Sequence, residues 1–170
     1  MYIKGKNMSL SWFETAKSLL GTKEVAGKGN NPKIIGWAKE IGGWISQFYK
    51  ADEIPWCGLF VAYCFDKNGI AVGQNSLGAV NWAQWGIGIP RGVPGAVLVF
   101  VRPGGGHVGF YVSEDKEAYH VLGGNQSDNV TVSRIAKTRL KAIRWPKNIP
   151  VSTTGPVYAK FTGALSTNEA

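Results

Sequence analysis

Two residue types capable of nucleophilic and acid–base chemistry are scarce here: 170 residues hold two cysteines and two histidines. Cys57 stands in Ile54-Pro55-Trp56-Cys57-Gly58-Leu59-Phe60-Val61, where an apolar, helix-compatible run begins. About fifty residues on, His107 opens a strand-like run in Gly104-Gly105-Gly106-His107-Val108-Gly109-Phe110-Tyr111. A thiol reacts as its thiolate, and the first turn of a helix favours that anion through its exposed N–H groups. Pro55 suits the start of a helix, which puts Cys57 where that field is strongest, and a neighbouring imidazolium would lower its pKa further. A thiol paired with an imidazole is the machinery of acyl transfer.

The remaining cysteine and histidine read differently. Cys64 lies one helical face along between Tyr63 and Phe65 and reads as core packing. Seven residues separate it from Cys57, about 10 Å along a helix at 1.5 Å per residue, too far for a disulfide. Strand alternation sends Val108, Phe110 and Val112 to the core and turns His107, Gly109 and Tyr111 the other way, where small Gly109 leaves space. His120, between Tyr119 and Val121, reads as structural or surface, with a lesser claim to be the base. An imidazole base needs an orienting partner. Asn125, in Gly123-Gly124-Asn125-Gln126-Ser127-Asp128, is the candidate, with Asp128 weaker and a plain turn the alternative. Rival motifs fail: there is no zinc-type spacing of Cys and His, no G-x-S-x-G and no phosphate loop.

These residues need helices before them and strands after. Trp12, Phe13, Ala16, Leu19 and Leu20 recur at helical spacing after a cap at Ser9 or Ser11, and Gly21 ends the run. Asn31-Pro32 reads as N-cap and first helical position of a helix that Gly42-Gly43 breaks. Trp44 to Tyr49 is a short helical piece, Cys57 to Phe65 a helix stopped at Asn68-Gly69, and Leu77 to Trp85 a fourth helix. Residues 86–95 read as a turn-laden connector. From residue 96 the period becomes that of strands: 96–101, 107–112, 118–122, 130–132 and 140–145. Helices followed by an antiparallel meander of about five strands make an α+β domain. Residues 1–8 read as an N-terminal extension, 9–150 as the domain and 151–170 as a flexible tail, with Met8 an alternative start.

Bulk properties restrict the function classes. Hydrophobic content of 44% and charged content of 18% describe a globular chain. No apolar run is long enough to span a bilayer, and the N-terminus lacks the apolar segment of a secretory signal. The net charge of +8 favours an anionic partner such as nucleic acid, a membrane surface or cell wall, or serves solubility alone. The cations are scattered and the aromatics fall at core spacing, so nucleic-acid binding is weakly supported.

Pro55-Trp56-Cys57, Gly106-His107-Val108-Gly109 and Gly123-Gly124-Asn125-Gln126 together resemble the CHAP and NlpC/P60 superfamily of papain-like peptidoglycan amidases and peptidases, over about residues 9–150. The similarity is greatest to the phage and bacterial branch with a WC-x-x-FV helix and a GGNQ turn. It implies a papain-like α+β fold with Cys57 as nucleophile, His107 as general base and Asn125 as orienting residue, and no cofactor or metal. Trp56, Asp52, Glu24 and Gln126 become candidates for substrate or oxyanion contacts, and Glu53 for the cleft wall. Many CHAP members carry Glu two residues before the orienting Asn; here that position is Gly123. The implied activity is cleavage of a peptidoglycan amide by a monomer with bacterial wall as partner, without nucleic acid or stable membrane insertion. The implied setting is a phage endolysin held in the host cytoplasm until a holin releases it, or carried on the virion. The alternatives are a secreted bacterial toxin, a non-catalytic wall-binding or virion module, and an acyltransferase.

Overall fold

The computed structural model describes residues 10–27, 29–51, 54–73, 75–161, 163–167 and 169. Met8, Ser9, Asp52 and Glu53, which carried sequence-based expectations, lie outside the described residues.

The helices come first in the chain and share one task, covering a sheet. α1 (Ser11–Ser18) buries Trp12, Phe13 and Ala16. Its N-cap is Leu10, without a side-chain cap bond, so Ser11 enters the helix instead of capping it. α2 (Pro32–Ile41) starts as its sequence predicts: the Asn31 side chain accepts from the Lys33 N–H and Pro32 takes the first turn. α3 (Gly43–Phe48) is short. α4 (Cys57–Asp66) is the central helix, buried at every position from Cys57 to Phe65. A helix apolar all round can only sit between layers. The expected fourth helix is a single 3-10 segment, Ala79–Gln84.

The sheet has six antiparallel strands, one more than the sequence pattern suggests: β1 (Ile87–Gly88), β2 (Val97–Arg102), β3 (Gly105–Glu114), β4 (Ala118–Gln126), β5 (Asn129–Ala136) and β6 (Leu140–Trp145). Their order is β1-β6-β2-β3-β4-β5. Strands β2 to β5 form the expected meander, but β6 crosses back to pair with β2. β1 arises inside the Gly/Pro-rich connector, where Ile87 and Gly88 pair with Trp145 and Arg144. Two residues of pairing carry no periodicity that a sequence reading could detect.

Alternation along β3 separates the two faces. Phe110 packs against Phe13, Phe60 and Phe65 on the helical side. Tyr111 turns the other way, against Tyr119 and toward Glu114, to which its hydroxyl donates at 2.8 Å. The described tail residues are held against the sheet instead of hanging loose. Tyr158 bridges to Glu114 and Leu165 to Arg134, both in parallel sense, and Phe161 stacks on His120 with ring centroids 4.9 Å apart. The Ser166 N–H donates to the Arg134 carbonyl at 2.8 Å. Backbone pairing supplied by edge and strand-end residues outweighs the weak intrinsic order of a Ser/Thr/Gly-rich segment.

Candidate functional site

Cys57 is the first residue of α4, and its N-cap, Trp56, makes no side-chain cap bond. The N–H groups of the opening turn are therefore not consumed by a capping side chain. Trp56 is wholly buried and packs on Trp37. Its indole N–H donates to Glu24 Oε2 at 3.0 Å. The Glu24 N–H in turn donates to the Asp128 carbonyl at 3.0 Å. Both residues thus fix the helix start; buried Trp56 offers no ring to a ligand, contrary to the expectation of substrate contact. Gly124 of β4 closes this corner. A Cβ there would stand 2.8 Å from the Trp56 ring and 2.7 Å from Phe60 Cβ, so no larger residue fits.

The backbone of Val108, next in the chain to His107 on β3, lies near enough to the Cys57 thiol to favour its anion. Burial pushes the thiol pKa up; the Val108 and Gly58 N–H groups and the Arg102 charge oppose this without reversing it. The lowered pKa expected of a helix-terminal cysteine is not found, because Cys57 is only 3% exposed and desolvation wins. Cys64 lies fully buried in the core, its thiol pushed well up by burial alone.

His107 is fully buried, not facing open space as the alternation of β3 suggested. Its Nε2 lies 2.9 Å from Gln126 Oε1. The Gln126 NH2 donates to the carbonyls of Val121 at 3.1 Å and Thr131 at 2.8 Å. Those two bonds fix which end of the amide is oxygen, so Nε2 must carry the ring proton. Burial lowers the His107 pKa to about 4, against the raising influence of Gln126 and then of Glu169. The ring is therefore neutral above that pH, and Nδ1 carries its free lone pair. Nδ1 is buried and has no hydrogen-bond partner among the described residues.

The side chain that bonds the His107 ring is that of Gln126, the neighbour of Asn125. Gly123 shows how the exchange arises. A Cβ on Gly123 would lie 3.1 Å from His107 Nε2, so strict alternation would bring Asn125 to the same face. The β4–β5 ladder instead slips between Gly123, opposite Thr131, and Gln126, opposite Asn129. The extra residue, with Asn125 at φ +58°, rotates the following side chain onto the ring.

His120 belongs to a separate network and is not available as a base. Ser113 Oγ lies 2.6 Å from its Nδ1 and Asp115 Oδ2 lies 2.8 Å from its Nε2. Arg134 clamps the same carboxylate with two bonds, at 2.7 and 2.9 Å. A cavity of about 290 Å³ lies among Asn75, Ser76, Asn81, Trp82, Gln84 and Trp85. The Ser76 carbonyl rests against Gly58, beside Cys57, and the Ser76 hydroxyl is buried without a partner among the described residues. Sequence reasoning also missed Arg102, Arg139 and Glu169, whose charges act on His107. Arg102 ends β2, Arg139 closes the 3-10 turn before β6 and Glu169 lies in the tail, with no motif to mark any of them. Among the described residues no group of three or more His, Cys, Asp or Glu side chains is placed to hold a metal ion, and no helix is long and apolar enough to cross a membrane. No protein-family model matches the chain, and no curated protein sequence matches it.

Proposed function

We propose that this chain is a papain-like cysteine hydrolase that cleaves an amide bond of peptidoglycan, acting as a phage endolysin. The observation that carries the reading is the state of His107: proton on Nε2, held by Gln126, and an Nδ1 without a partner among the described residues, one residue from the backbone group of Val108 that favours the Cys57 thiolate. Burial keeps thiol and imidazole both neutral at rest, so the reaction begins with proton transfer from Cys57 Sγ to His107 Nδ1. The sulfur attacks the amide carbonyl, and N–H groups of the first turn of α4 receive the negative oxygen. His107 returns the proton to the leaving amine. Water, deprotonated by His107, then breaks the thioester and restores the thiol.

The net charge of +8 suits approach to anionic wall polymers. Mass spectrometry of muropeptides released from purified wall by the pure protein tests hydrolysis and names the bond. Cys57→Ala should abolish the release of amino groups while circular dichroism stays native; retained release by that variant would sink the proposal.

A second reading is a non-catalytic wall-binding or virion module. It is favoured by the near-complete burial of both Cys57 and His107. Sedimentation of the protein with wall, without any release of amino groups, would select it.

A further inference from the structure

The tail ends its described course at a buried acidic group. Glu169 is 1% exposed, a rare position for a carboxylate unless it is paired. Arg139 provides the pairing, through an Nη2 to Oε1 ion pair, and the Ser166 hydroxyl donates to the other oxygen at 2.7 Å. Arg139 is itself fastened to β2 by a bond from Nε to the Val101 carbonyl at 3.2 Å. Arg102, the residue after Val101, has a buried Nε with no partner among the described residues. Two guanidinium groups are thus placed at the end of β2, and the charges of both act on His107. Burial by itself would raise the Glu169 pKa; the Ser166 hydroxyl and Arg139 outweigh it and hold the carboxyl below its usual range.

The described tail residues before this carboxylate pair with backbone through Tyr158, Ala159, Leu165 and Ser166. A chain segment that brings a carboxylate to an arginine, with a second arginine near by at the end of β2, uses the chemistry by which proteins commonly receive acidic peptides. We propose that Arg139 and Arg102 form a binding site for the carboxylate of a short acidic peptide substrate, which Glu169 occupies in cis until that peptide displaces it. The identity of the peptide rests on the hydrolase reading, because peptidoglycan stems carry free carboxylates. The occupancy by Glu169 does not rest on it.

Hydrogen exchange of the tail amides in the full chain tests the site without wall or turnover. In Glu169→Gln, which keeps size and removes charge, the Ser166 amide should exchange on the order of tenfold faster or more. Ser166→Ala removes the other anchor of the same carboxylate and should shift exchange in the same direction. The probe is the dipeptide alanyl-glutamate with both carboxylates free, compared with its diamide. The acid should speed tail exchange in the native chain and lose that effect in Arg139→Gln, while the diamide does nothing. Equal exchange in native and Glu169→Gln chains, or loosening by acid and diamide alike, overturns the proposal. Tail displacement by the acid in a chain that never cleaves wall would confirm the site and remove only the hydrolase reading.

Discussion

His107 Nε2 and Gln126 Oε1 lie 2.9 Å apart, and the other end of the Gln126 amide is tied to two carbonyls. The pair is a one-way arrangement. An amide locked by its NH2 cannot flip to offer a donor, so the histidine cannot change tautomer without breaking a bond. A base whose reactive nitrogen is chosen by a neighbour is open to test at that neighbour.

Gln126→Ala should reduce turnover of wall about 10²-fold or more, the size expected when a general base loses its orientation, with little change in secondary structure. Gln126→Glu should restore part of the loss, since a carboxylate oxygen still accepts from Nε2. Asn125→Ala should cost much less. The rates of the three variants, measured as amino-group release, decide whether the slip in β4 assigns the role correctly; equal losses at 125 and 126 would refute it.

The two thiols should respond in opposite ways. Cys64→Ser places a hydroxyl in a core site where Cys64 is wholly buried, and should destabilise the fold by about 1–3 kcal/mol while leaving activity in the folded protein. Cys57→Ser should leave stability nearly unchanged and eliminate release. Urea midpoints together with rates separate these effects, and a dead but stable Cys64→Ser would mean that the wrong thiol has been chosen.

Acid should act on stability through His107 first. Its pKa falls from 6.5 in the unfolded chain to about 4 in the fold, because burial penalises the cation. Between those values the unfolded chain binds the proton more readily, so stability is full above about pH 6.5 and declines as pH falls toward 4. Asp115, held below the usual carboxylate range by Arg134 and then His120, adds a loss only below its unfolded value of 3.8. Denaturation midpoints from pH 8 to pH 3 should show the upper step, and His107→Gln should remove that step alone.

Gly124→Ala should destabilise by roughly 1–3 kcal/mol, because its methyl meets the Trp56 ring and Phe60 Cβ at under 3 Å. The same strain should push on the start of α4 and lower activity beyond the stability loss. A variant with native urea midpoint and native rate would show that the corner has slack.

Much of this was legible in the chain because it depends on neighbours in sequence. The Asn31 cap is a local bond to Lys33, and Pro32 follows it. The spacing of Trp12, Phe13 and Ala16 marks a helix whatever it packs on. The run from Val97 to Phe100, wholly buried in the sheet, reads as a strand from its composition. The placing of Cys57 at a helix start and His107 on a strand belongs to the same class of local signal. So does the division of labour between an isolated Cys57 and a Cys64 set among aromatic residues.

Other features depend on residues far apart in the chain and have no local signal. A single slip against β5 exchanges Asn125 for Gln126 at the imidazole, since strand side chains have a period of two and one extra residue reverses it. Burial of Cys57 to 3% and of His107 completely reverses the thiol pKa shift that the helix start alone implies. The return of β6 to β2 and the seating of Glu169 on Arg139 join segments that no periodicity relates. The types of the reactive groups and the elements that carry them are thus written in the sequence. Which amide holds the ring and which carboxylate pairs with Arg139 are set by tertiary packing, because desolvation and register exist only once the layers have closed.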